Sequence, residues 1–82
     1  SKKTREVTDG IVEGIETAIQ EQKKSAMLFN IIFANEEVSF EISLPQSEWV
    51  GALKNCLDYY HEHSETDLAI DCWKLLECAK LQ

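Results

Sequence analysis

Between Ala26 and Leu44, apolar residues recur at period two in two runs that mirror each other. Side chains of a strand point to opposite faces with period two. Folding the run about Asn35 and Glu36 pairs Phe33 with Val38, Ile31 with Phe40, Phe29 with Ile42 and Met27 with Leu44. All eight apolar residues then share one face, and Leu28, Asn30, Ile32, Ser39, Glu41 and Ser43 take the other. The pattern predicts a β-hairpin with a firmly set register, because a slip of one residue would oppose apolar to polar along the ladder. Asn35 suits a tight turn, although the glycine that usually follows is absent. Pro45 closes the second strand, since it has no N–H to give to a ladder.

Helical periodicity brackets the hairpin. From Thr4 to Lys24, the residues Val7, Ile11, Ile15 and Ile19 form one stripe with Val12 at its margin, opposite Asp9, Glu13, Glu16 and Gln20. Gly10, Gly14 and Ala18 line an edge of that stripe. Each glycine costs about 1 kcal/mol against alanine in a helix, so the spacing points to close approach by another backbone. After Ser47, which has the chemistry of an N-cap, Trp49, Leu53, Cys56, Leu57 and Tyr60 recur at helical spacing. The segment Ser64 to Asp67 reads as a fresh start, with Ser64 capping and Asp67 in the reciprocal acidic position. Leu68, Cys72, Leu75, Leu76 and Ala79 then share one face. A single helix from Ser47 to Leu81 would bury Ser64 and Asp67, so phase favours two helices joined near His63. The predicted fold is α+β: helix, two-stranded antiparallel hairpin, helix, helix, with the helices packed on one face of the hairpin.

The 82 residues suffice for one domain, 1–82, with residues 1–4 expected to be disordered. A hydrophobic content of 44% supports a packed core rather than a disordered acidic segment. A core this small yields only about 3–5 kcal/mol of net stability. No apolar signal segment follows Ser1 to Arg5, and no apolar run approaches the length of a membrane span. The prediction is a soluble cytoplasmic protein that does not engage membranes.

Charge sharpens this picture. Up to Lys24 the basic residues Lys2, Lys3, Arg5, Lys23 and Lys24 balance Glu6, Asp9, Glu13, Glu16 and Glu21. The net charge of −7 therefore falls entirely on the remainder. Asp58, Glu62, Glu65, Asp67 and Asp71 cluster with no Lys or Arg among them, which argues against direct nucleic-acid binding. Such a run is either a solvated face that keeps the chain soluble or an acidic patch for a basic partner.

Candidate chemistry is sparse. Cys56, Cys72 and Cys78 lack the close spacing of zinc or redox sites. Cys56 and Cys72 fall on core faces, and Cys78 lies off the stripe as the thiol most open to reaction. His61 and His63 sit in a polar acidic turn, which suits solvation better than a metal site. No nucleophile–base set, phosphate loop or metalloprotease motif is present, so neither cofactor nor catalysis is expected. What remains is surplus apolar surface. Leu28 and Ile32 lie on the second face of the hairpin, and Ile70, Trp73 and Leu81 form a thinner stripe on the last helix. These five residues are the candidate partner-binding set of a non-enzymatic protein-binding module: an adaptor, assembly factor or inhibitor. The hairpin edges carry no obvious guard and offer a route to a homodimer. A second reading is an acidic mimic of nucleic acid that occupies a basic groove. A third is a metal- or thiol-dependent enzyme.

Overall fold

The computed structural model describes residues 2–28, 31–33, 36–38 and 42–82, with backbone alone at 2, 31–33 and 36–38. In chain order the elements are α1 (Lys2–Gln20), β1 (Ser25–Met27), β2 (Ile31–Phe33), β3 (Glu36–Val38), β4 (Ser43–Pro45), a 3-10 turn (Gln46–Glu48), α2 (Trp49–Glu62) and α3 (Thr66–Lys80). β1 pairs antiparallel with β4, and β2 with β3, as two ladders of one hairpin. The α+β order read from the sequence is the order observed.

The helix boundaries differ from the expected ones for identifiable reasons. α1 begins at Lys2. It stops at Gln20, not Lys24, because Gln22 turns left-handed at φ 56°. The Lys23 N–H then donates to Ala18 O (2.8 Å) and the Gln22 N–H to Ile19 O (3.2 Å), which is the Schellman closure of a helix. The same closure ends α2. Ser64 has φ 56°, the Glu65 N–H donates to Tyr60 O (2.9 Å) and the Ser64 N–H to His61 O (3.3 Å). Ser64 therefore terminates α2 and does not cap α3. Glu65 is the N-cap residue of α3, and Glu48, not Ser47, that of α2, neither with a side-chain capping bond. Both left-handed sites use a residue with a Cβ where glycine is usual, at a strain of order 1 kcal/mol each.

The hairpin departs from the mirrored pairing. In β2–β3, Ile31 pairs with Val38 and Phe33 with Glu36; in β1–β4, Ala26 pairs with Leu44 and Met27 with Ser43. The face assigned to β1 is corrected as well. Ala26 and Leu28 are buried and Met27 is exposed, so Leu28 belongs to the core and is not spare surface. The expected placements of Phe29, Asn30, Asn35, Ser39, Phe40 and Glu41 lie outside the described residues, as do the side chains of Ile31, Ile32, Phe33 and Val38.

The outer edge of β1 is covered, and that of β4 ends on a proline. The Leu28 N–H donates to Ile42 O (3.0 Å) and the Gln46 N–H to Lys24 O (3.1 Å), so even-numbered residues face the ladder and Met27, Ser43 and Pro45 face outward. An ideal Cβ on Gly14 would lie only 2.5 Å from Met27 O, which puts α1 directly against the outer edge of β1. On β4, Pro45 occupies an outward position and presents no donor.

The core gathers Ile15 and Ala18 of α1, Ala26 of β1, Trp49, Leu53, Cys56 and Tyr60 of α2, and Cys72, Leu76 and Ala79 of α3. The expected stripes of α2 and α3 are thus buried, with Leu57, Leu68 and Leu75 packed at their margins. In α1 the buried line passes through Thr8, Gly14, Ile15 and Ala18, while Val7, Ile11 and Ile19 are only half-buried. Gly14 stands where α1 meets β1, because a Cβ there would collide with Met27 O. Trp49 ties β4 to α2 by donating its indole N–H to Leu44 O (2.8 Å).

Candidate docking groove

α2 and α3 run antiparallel across the short turn that joins them, with the Cys72 thiol donating to Leu53 O (3.5 Å). Near the turn their surfaces border a groove of about 300 Å³. Leu57 and His61 form one wall, Ala69, Ile70 and Trp73 the other, and Tyr60 contributes to the base between them. Ile70 (47% exposed), Trp73 (52%) and Leu81 (86%) remain open to solvent, so α1 does not cover the second stripe of α3. Leaving large apolar side chains wet forgoes about 1.5–3 kcal/mol each relative to full burial. Of the candidate residues, the structure places Ile70 and Trp73 together in the groove, Leu81 further along α3, and Leu28 in the core.

A polar brace holds the base of the groove. The buried Tyr60 hydroxyl donates to Asp9 Oδ1 (2.6 Å), Arg5 Nε lies 3.7 Å from Asp9 Oδ2, and Arg5 Nη1 donates to Glu65 Oε1 (2.8 Å). The start of α1 is thereby fastened to the α2–α3 turn. Burial, reinforced by the hydrogen bond to Asp9, pushes the Tyr60 hydroxyl far above its usual pKa. His63 stacks on Tyr59 (4.1 Å between ring centres) and donates from Nδ1 to Tyr59 O (2.9 Å).

The acidic segment is not one patch. Glu65 is paired with Arg5. Asp58 and Glu62 each follow a groove residue, Leu57 and His61, by one position, and Asp67 and Asp71 likewise follow Thr66 and Ile70. A step of one residue turns about 100° around a helix, which carries all four exposed carboxylates past the walls onto the outer flanks. The cluster in sequence becomes two flanks and an ion pair in space.

The thiols divide as their positions suggest. Burial pushes Cys56 up to about 12, with Cys72 and Asp9 adding to the effect, and pushes Cys72 up to about 11; Cys78 is exposed. A maleimide reagent at neutral pH is expected to label Cys78 quickly and the other two only after denaturation, giving one adduct per native chain and three per unfolded chain by mass spectrometry. Rapid labelling of all three in the native protein would contradict the packing described. Among the described residues no group of three or more His, Cys, Asp or Glu side chains is arranged to hold a metal ion. Among the same residues no helix is long and apolar enough to cross a membrane.

The sequence pattern found one wall of the groove, the stripe through Ile70 and Trp73. It missed the other, because Leu57 reads as a core residue and His61 as the end of the pattern. Comparison with protein-family models, with curated proteins and with solved structures finds no match to the chain.

Proposed function

We propose that the chain is a non-catalytic protein-binding module that docks its partner on the α2–α3 groove. The observation that carries this reading is the half-exposed pair Ile70 and Trp73 lining an apolar groove, in a domain too small to leave such surface wet without a use. Tryptophan is enriched among residues that dominate binding energy. Three free cysteines agree with a reducing, cytoplasmic setting. The acidic-mimic alternative has less support, since Glu65 is bound to Arg5 and the other four carboxylates stand on two separate flanks. Dimerisation through the hairpin edge also has less support, given α1 against β1 and Pro45 on β4.

Trp73→Ala tests the reading, because a side chain this exposed is dispensable for folding. Tagged wild-type chain and variant are compared by quantitative affinity capture, scoring untagged copies of the chain itself as well as other proteins. A partner held by the wild type is expected to fall at least tenfold with the variant, at about 1.4 kcal/mol per tenfold. If every captured protein is retained equally, the groove is not the docking site.

A further inference from the structure

The groove is apolar, and the charges on the flanks beside it change sign along its length. Leu53 and Cys72 lie opposite each other across the helix pair, so Lys54 and Lys74 stand at nearly the same height, away from the turn. Asp58, Glu62 and Asp67 lie on the turn side of them, Asp71 is level with Lys54, and all six side chains are exposed. Lys80 continues the lysine end and is paired with Glu77 (3.1 Å).

We propose that the occupant of this face is a second copy of the chain, packed antiparallel so that the acidic end of each protomer covers the lysine end of the other. This rests on reading the groove as a protein-docking site. The arrangement needs a two-fold axis across the helices at the level of Leu57 and Ile70, which lays α2 on the partner's α2 and α3 on the partner's α3 as a four-helix bundle. Lys54 then falls between the partner's Asp58 and the partner's Glu62, and Lys74 falls on the partner's Asp67. Trp73 and Ile70 are covered near the axis. Parallel packing would set acid on acid and lysine on lysine. A uniformly basic partner would suit the turn end and be repelled at Lys54 and Lys74. The complementarity is between the two ends of one face, which is what an isologous contact requires. Helices of 14 and 15 residues give a footprint of roughly 400 Å² per protomer, below the standard interface, so the dimer is weak, with a dissociation constant in the micromolar range.

Sedimentation equilibrium of the full chain from about 1 μM to 1 mM brackets that range. The wild type is expected to dimerise with concentration. Lys54→Glu with Lys74→Glu makes both ends acidic, and Asp58→Lys with Asp67→Lys makes the turn end basic, so each double variant is expected to self-associate at least tenfold more weakly. Mixed in equal amounts, the two are expected to form a heterodimer tighter than either homodimer, which no loss of folding could mimic. Trp73→Ala is expected to abolish the dimer without any change of charge. A wild type that stays monomeric throughout overturns the second copy as occupant, while Trp73-dependent capture of a different protein would leave the docking reading standing. A mixture no tighter than its parents, or a dimer indifferent to Trp73→Ala, overturns it equally.

Discussion

Gly14→Ala is expected to destabilise the chain by about 1–3 kcal/mol, whereas Gly51→Ala is expected to stabilise it by about 1 kcal/mol. Both glycines lie in helices, and helix propensity alone favours alanine at each by a similar amount. What separates them is the space a methyl group would meet. At Gly14 the new Cβ would stand 2.5 Å from the Met27 carbonyl oxygen and 3.4 Å from its carbon, and these are backbone atoms of β1 that cannot swing aside. α1 would have to lift away from the strand edge, loosening Ile15 and Ala18 from Ala26 and Trp49 behind it. At Gly51 nothing lies within 4 Å, so only the backbone-entropy gain remains. Thermal denaturation followed by circular dichroism separates the two. A change of 1 kcal/mol moves the midpoint by roughly 4–8 °C in a domain of this size. Equal shifts of the same sign would mean that α1 does not lie against β1.

The close approach at Gly14 was written in the spacing of small residues along α1, and the structure gives it a partner, β1. The face of the hairpin was not legible in the same way. Between residues 26 and 33 both alternating sets carry apolar residues, so maximising apolar pairs selected Met27 and placed Leu28 outside. The choice is made instead by what packs behind the strand. α1 meets β1 so closely that Ala26 fits against Ile15 and Trp49, and Met27 is turned out. Periodicity within one segment cannot register a steric limit set by another.

The α2–α3 joint shows the same division. Phase along residues 49–79 located two helices and their turn, since that signal is carried by the core stripe itself. The mechanism of the turn escaped because Ser64 stands where glycine would have announced a left-handed residue, and a serine before an acidic residue looks like a cap. The groove was half legible for a related reason. Its α3 wall is surplus apolar surface, which composition reveals, while its α2 wall is built from residues that look like core and turn in the sequence.

Above pH 9 the fold is expected to lose stability progressively. In the unfolded chain the thiols of Cys56 and Cys72 ionise around 9.0, but burial holds them to about 12 and about 11 in the fold, and Tyr60 is raised above its ordinary 10.0. The folded state therefore keeps protons that the unfolded state has already released. Stability falls with pH wherever the unfolded state binds fewer protons, so these groups contribute fully below pH 9 and the contribution drains away as pH rises to about 11 for Cys72 and about 12 for Cys56. The loss is on the order of a few kcal/mol, comparable with the whole stability of a core this small. Urea denaturation at intervals from pH 7 to 11 measures the slope. Cys72→Ala is expected to lower stability at pH 7, through lost packing against Leu53, and yet to decline less steeply above pH 9 than the wild type. Tyr60→Phe is expected to flatten the upper part of the curve and to loosen the brace to Asp9 at every pH. A denaturation midpoint constant from pH 9 to 11 would mean that the thiols and the phenol are not enclosed, and that α2 and α3 do not meet around Cys56, Tyr60 and Cys72.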